Sequence, residues 1–261
     1  MYKRERPRTM TQTIAVLNQK GGVGKTTTTI NVATCLQKSG KSVLIIDLDP
    51  QGNATSGIGL EKGDYTQTTY TVLTGGNSLS DAIVEVTRLG IGIVPANASL
   101  AAAETDLASE LQRESKLKEA LTGVTYDYIL IDCPPALGLL TINALTAANW
   151  VLIPVQTEYY AMEGLSQLLA VVQRIRAGLN PGLELLGVVA TMFDSRTSLS
   201  GQVLDELKKH FGDKVFQAVI PRNVRLAEAP SHGKTILEHD KWSKGARSYK
   251  QLTKEIEKRL Q

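Results

Sequence analysis

The stretch Lys20-Gly21-Gly22-Val23-Gly24-Lys25-Thr26 lies between an apolar run, residues 13–18, and a helical pattern, residues 25–39. That placement constrains the fold more than any other feature of the chain. Gly21, Gly22 and Gly24 permit backbone angles closed to other residues and let the main chain approach an anion closely. A strand before such a loop and a helix after it turn backbone N–H groups and the positive helix end toward one point, as phosphate binding requires. Lys25 supplies a point charge for β- and γ-phosphates, and the Thr26 hydroxyl is a Mg²⁺ ligand in such loops. The usual pattern asks for glycine five residues before Gly24. Here Gln19 stands there, and a second lysine, Lys20, sits at the loop's mouth.

The same alternation continues. Residues 42–47, 90–96, 126–132, 150–155, 183–191 and 214–220 read as further apolar strands. Helical patterns fill 99–121, 161–177, 198–211 and 244–260. Continuous apolar strands alternating with helices predict an α/β fold: one doubly wound domain with a mainly parallel central sheet and helices on both faces, of phosphate-loop NTPase type. Ligands of such sheets bind beyond the C-terminal strand ends. The polar motifs fall there: the glycine loop, DLDPQGN from Asp47, DCPP from Asp132, FDSRT from Phe193 and PRNVRLAEAP from Pro221.

At 261 residues, 42% apolar, the chain is long enough for one large domain, expected over 10–261 after a disordered basic tail, 1–9. Met10 is an alternative start. Two cysteines make no disulfide framework, and no secretory signal or membrane-length apolar run is present, so a cytoplasmic setting is expected. Cys35 and Cys133 read as packed small residues, and the three histidines lack zinc spacing. Charge is uneven. Residues 195–261 carry 14 Lys and Arg against 8 Asp and Glu, whereas residues 1–194 carry 15 against 18. The C-terminal quarter is the better candidate for an anionic partner, a solvated surface being the plain alternative.

Two carboxylate positions complete the nucleotide reading. Asp132 ends an apolar strand, where an aspartate holds Mg²⁺ through a bound water. Asp47 and Asp49 flank Leu48 and can point to one face. A turn-capping role for one of them is the alternative, since Asp-Pro-Gln-Gly favours a turn. The guanine signature N-K-x-D is missing, so adenine is the expected base.

The variant loop, with IDLDPQGN, IDCPP, PVQTEYYAMEGLSQL and VIPRNVRLAEAPSHGK, resembles the ParA/Soj branch of the ParA/MinD ATPases over nearly the whole chain. That resemblance implies an ATP hydrolase that uses ATP and Mg²⁺, is slow and partner-stimulated, and dimerises in its ATP state. It implies ATP-binding residues Lys20, Gly21, Gly22, Val23, Gly24, Lys25, Thr26, Thr27, Pro221 and Asn223, the last two lining the adenine pocket. It implies Asp49 as the residue that orients the attacking water, with Lys25 and Lys20 also catalytic, and Lys20 reaching the partner subunit's phosphates. Thr26 and, through water, Asp132 serve the metal, with Asp47 nearby.

The resemblance further implies non-specific DNA binding through Arg196 and Arg225, a ParB/Spo0J-type partner, nucleoid association and a role in chromosome or plasmid segregation. Lys241, Lys244, Arg247 and Lys250 are candidates to extend the DNA patch. Arg222 and Arg225 could equally serve the interface or the nucleotide. Tyr159, Tyr160 and Glu163 belong to a motif near the interface, with packing an equal alternative. The rival readings are a MinD-like membrane switch and a switch that positions cargo or regulates replication. Against the membrane, the last helix has one narrow apolar stripe, Tyr249, Leu252, Ile256 and Leu260, and mixed charge.

Overall fold

The computed structural model describes residues 10–159, 162 and 164–261. The tail 1–9, Tyr160 and Glu163 lie outside the described residues, so the readings placed on them stand where the sequence left them. The strands are β1 (Gln12–Val16), β2 (Val43–Asp47), β3 (Val84–Val86), β4 (Ile91–Val94), β5 (Tyr128–Asp132), β6 (Trp150–Gln156) and β7 (Glu184–Thr191). They form one sheet in the order β3-β4-β2-β5-β1-β6-β7. Every pairing is parallel except β3 with β4 at the edge. The α/β reading is borne out.

Strand periodicity divides the core into two layers. Ala15, Leu44, Ile46, Ile129 and Ile131 face one side, packed by the helices Leu139–Ala147, Leu165–Gly178 and Ser198–Phe211. Ile14, Val16, Val43, Ile45 and Leu130 face the other, against the helices Lys25–Lys38 and Lys244–Arg259. Residues on both faces are buried, so the strands read as unbroken apolar runs rather than as alternation. In register, Asp132 at the end of β5 stands beside Asp47 of β2 and Val16 of β1. The parallel ladder therefore brings the ends of three strands to one edge.

Two expected elements differ. Residues 99–121 do not form one helix. They break into the short turns Ala98–Ala102, Ala103–Asp106 and Lys116–Ala120, with Gln112 at φ 55°. Side chains intercept the backbone there: Asn143 Nδ2 donates to the Arg113 carbonyl, and Leu117 N donates to Asn143 Oδ1. Residues 214–220 run beside β7 without forming a continuous ladder: Val188 bridges Val215, and Phe216 N and Ile220 N donate to the Val188 and Ala190 carbonyls, each at 2.9 Å. Their outer groups bond the last helix instead. Gln217 N and Ala218 N donate to the Glu255 carboxylate, each at 2.8 Å. Arg259 donates to the carbonyls of Asp213, Lys214, Val215 and Leu186, and its guanidinium lies 3.9 Å from the Phe216 ring centroid. An ionic lid thus supplements an incomplete ladder along this edge. Sequence periodicity also passed over β3 and the helix Leu139–Ala147.

Arg259 holds more backbone carbonyls than any ladder residue could, through charge-assisted bonds. Arg259→Ala is expected to lower unfolding free energy by about 2–3 kcal/mol, read from urea denaturation with an unchanged m-value. A change within about 0.5 kcal/mol would show that the lid is dispensable.

Candidate nucleotide site

The helix Lys25–Lys38 starts at Gly24, whose φ of 92° places it in the left-handed region that favours glycine. No side chain caps this end. The first-turn N–H groups therefore face the cleft above the loop. Gly22, at φ 74°, makes the preceding turn. Asn18 anchors the loop from below: its Nδ2 donates to the Pro154 carbonyl at 2.7 Å, and its Oδ1 accepts from Lys20 N at 3.0 Å.

Lys25 is only 7% exposed, and its ammonium donates to the Lys20 carbonyl at 3.2 Å. It makes no salt bridge among the described residues. Burial lowers its pKa, with Asp132 and Asp49 pulling the other way. A buried cation whose bonded partner is a single carbonyl, at the mouth of uncapped N–H groups, fits an incoming polyanion.

Asp132 fastens the strand to the helix. Its Oδ2 accepts from Thr26 Oγ1 at 2.7 Å and its Oδ1 from Thr29 Oγ1 at 3.1 Å. Asp47 accepts from both N and Oγ1 of Thr55, at 2.8 and 2.7 Å, and from Asp49 N at 3.3 Å. Both carboxyls are fully buried. Burial raises the pKa of each, and the mutual repulsion of neighbouring carboxylates adds to it. Asp47 is thus used in holding the loop after β2, while Asp49 reaches the cleft. Among the described residues no cluster of three His, Cys, Asp or Glu side chains could hold a metal alone. Thr26 and Asp132 fit Mg²⁺ only as part of a shell that phosphate oxygens and water complete.

The cleft measures about 440 Å³ and is lined by Gly21, Gly22, Gly24, Lys25, Thr26, Thr27 and Asp49. Sequence reasoning missed other walls: Gln51, Asn53, Pro135 and Lys234. A second cavity of about 210 Å³ shares Gly24, Thr27, Met192 and Leu226 with it. Pro221 and Asn223 line this one, where an adenine was expected. Asn223 also caps the helix Val224–Glu228, its Oδ1 accepting from Leu226 N at 3.2 Å. Tyr249, Thr191 and Met192 were missed. Met192 has φ 50°, and Thr191 Oγ1 donates to the Val23 carbonyl, tying β7 to the loop. Val23 itself is buried beneath the loop rather than in the cleft. The TMFDSR string that follows β7 was the available signal for Met192.

The remaining predicted residues are not walls of the larger cleft, although Arg222 lines the second cavity beside Pro221 and Asn223. Lys20 Nζ stands 3.6 Å from Glu158 Oε2, and its side chain is 41% exposed. Arg222 reaches the same carboxylate at 3.3 Å. Arg196 clamps Asp194 through Nε and Nη2, at 2.8 and 2.6 Å. Arg225 bonds Glu228 at 3.0 Å, and its Nε is 3.9 Å from Asp240. Tyr159 is 77% exposed. Cys35 and Cys133 are buried and unpaired, as expected.

Known proteins share this arrangement. Residues 11–185 match the family described as AAA domain. The chain is 55% identical over 249 residues to the sporulation initiation inhibitor protein Soj of Bacillus subtilis, covering 95% of this chain and 98% of that protein. It is 48% identical to the chromosome partitioning protein ParA of Caulobacter vibrioides, over 93% of this chain and 92% of that one. Among solved structures it superposes with a TM-score of 0.83, at 37% identity, on cobyrinic acid a,c-diamide synthase from Mycobacterium smegmatis with bound ATP analog and magnesium. That likeness covers 94% of this chain and 93% of the other.

The raised acids have a consequence for stability. Unfolded aspartates release their protons near pH 4. The buried Asp47 and Asp132 keep theirs to higher pH, so the unfolded chain binds fewer protons over that interval. Stability of the nucleotide-free protein then falls as pH rises above about 4, until both acids ionise in the fold. Asp132→Asn removes part of that loss. Its stability relative to wild type is expected to improve by about 1 kcal/mol or more between pH 5 and pH 8. Parallel stability–pH curves for the two proteins would contradict this.

Proposed function

The chain belongs to the ParA/Soj family of partitioning ATPases, and from that premise we propose a DNA-segregation switch driven by a slow ATP hydrolysis. The protein hydrolyses ATP to ADP and phosphate, with Mg²⁺ as cofactor. Gly21, Gly22, Gly24, Lys25, Thr26 and Thr27 receive the phosphates, and Pro221 and Asn223 border the base. Mg²⁺ held by Thr26 and, through water, by Asp132 would neutralise charge on the β- and γ-phosphates. Asp49 orients the attacking water. Its Oδ1 accepts from Gln51 N at 2.9 Å, which fixes the carboxylate at the rim of the cleft. Phosphoryl transfer asks chiefly for such positioning and charge.

One observation carries the dimer reading. The backbone of Lys20 belongs to its own loop, where its carbonyl holds Lys25, while its ammonium turns outward to Glu158. A cation held outside its own cleft by a half-exposed ion pair is held weakly. It is available to phosphates of a second copy, as an arginine finger is. ATP would then be part of the interface, and nucleotide state would set oligomeric state. The dimer binds nucleoid DNA without sequence preference through Arg196 and Arg225, and a ParB-type partner stimulates hydrolysis and release. The Arg225–Glu228 pair is solvent-exposed, so exchanging it for a DNA phosphate costs little, and the exposed Arg196 guanidinium can trade its two-point hold on Asp194 for the same fork on a phosphate.

The burial of Tyr249, Leu252 and Ile256 supports DNA over a membrane as the surface bound. These residues spend the apolar stripe of the last helix on the core, whereas a membrane-seated helix needs that stripe free. No helix among the described residues is long and apolar enough to cross a bilayer.

Three variants test the reading. Asp49→Ala is expected to lower turnover by about a hundredfold or more while ATP-dependent DNA binding persists. Arg225→Ala is expected to weaken that binding and to reduce its salt slope by about one. Equal DNA affinity of the wild type with ATP, with ADP and without nucleotide would sink the switch. Lys20→Ala is expected to stay monomeric in ATP by light scattering; a normal dimer with normal turnover would remove its role in trans.

A further inference from the structure

Trp242 is 78% exposed, although indole is among the side chains that gain most from burial. The chain's other tryptophan behaves differently: Trp150 is half-buried and its Nε1 donates to Gln12 at 2.7 Å. Trp242 does no such work for the fold. It sits in a fixed turn just before the last helix. Its N–H donates to Asp240 Oδ1 at 3.1 Å, and Ser243 caps that helix by accepting from Ala246 N.

Its surroundings are cationic. The Lys241 ammonium lies 5.3 Å from the indole centroid. Asp240 Oδ2, the other oxygen of the carboxylate that holds the Trp242 backbone, is 3.9 Å from Arg225. Lys241, Lys244 and Arg247 are exposed and, among the described residues, none forms a salt bridge. Arg196, Arg222 and Arg225, by contrast, are each paired with an acid. Unpaired positive charge therefore accompanies this exposed ring: Lys241 stands over it, and Lys244 and Arg247 lie in the first turns of the helix that follows. A purely apolar partner would leave those cations unmatched. A nucleic acid offers both phosphates for them and flat apolar faces for the indole.

We propose that Trp242 is a contact residue of the DNA interface, packing its indole against a base or deoxyribose while Lys241, Lys244 and Arg247 meet phosphates. The inference rests on the DNA-binding reading above and adds to it a contact that carries no charge. That difference makes it measurable. A lost phosphate contact lowers both affinity and salt slope, because fewer counterions are released. A lost indole contact lowers affinity alone.

The test measures binding of ATP-state protein to duplex and to single-stranded oligonucleotides across a salt series. Trp242→Ala is expected to bind about 5- to 100-fold more weakly with an unchanged salt slope, and Trp242→Phe to recover part of the loss. Lys241→Ala is expected to reduce the slope by about one. A larger loss on single strands identifies base stacking; a larger loss on duplex identifies the sugar edge. In a Trp150→Phe background, DNA should change the Trp242 emission. Thermal unfolding of each variant separates misfolding from lost contact. Wild-type affinity in Trp242→Ala, where Arg225→Ala is weakened, overturns the proposal alone. So does unchanged DNA affinity with lost stimulation by a partner, which assigns the indole to a protein. Failure of the wild type to bind DNA in any nucleotide state removes the parent reading and this one together.

Discussion

The carboxylate of Asp132 joins the end of a central strand to the first helix, and the nucleotide site depends on that join. It receives Thr26 from the first turn and Thr29 from the next, the first bond partly buried and the second fully buried. The helix cannot rotate about its axis without breaking one of them. Its uncapped N–H groups are therefore held facing the cleft before any phosphate arrives. The cost is three acidic side chains and a buried ammonium crowded at one sheet edge, with burial holding the pKa values of Asp47 and Asp132 above the usual range. Buried charge of this kind is tolerated where a ligand completes it.

The same logic explains what the outer residues do. Glu158 holds Lys20 and Arg222 together, both half-exposed. Asp194 holds Arg196, and Glu228 holds Arg225. Lys241, Lys244 and Arg247 form no salt bridge among the described residues, whereas Lys20, Arg196, Arg222 and Arg225 are each parked on an acid in the single chain. Such pairs are worth little in water. They can exchange for stronger anions without unfolding anything, so a switch needs no large rearrangement of the core.

Much of this was legible in the sequence because it rests on local rules. The glycine loop, Lys25 and Thr26 were readable from spacing, and four strand ends, those of β1, β2, β5 and β7, were marked by polar residues that the parallel sheet then aligned. Pro221 and Asn223 proved to line a cavity that also touches the loop. What was not legible depended on partners distant in sequence. Residues 214–220 carry a strand pattern, yet Glu255 and Arg259 take their backbone groups. Residues 99–121 carry a helix pattern, yet Asn143 interrupts it. Tyr249 reaches the second cavity from the last helix, where its OH lies 3.2 Å from Thr28 Oγ1; its stripe position gave only burial. Asp47 was placed near the metal by resemblance, and the bonds to Thr55 show that it also locks the neighbouring loop.

The most direct test is a structure of the chain with a non-hydrolysable ATP analogue and Mg²⁺. The account predicts paired copies in which Thr26 leaves Asp132 for the metal, Lys25 leaves the Lys20 carbonyl for phosphate, and the Lys20 ammonium leaves Glu158 for the opposite cleft. A single copy with nucleotide fully enclosed, and with Lys20 still resting on Glu158, would contradict it.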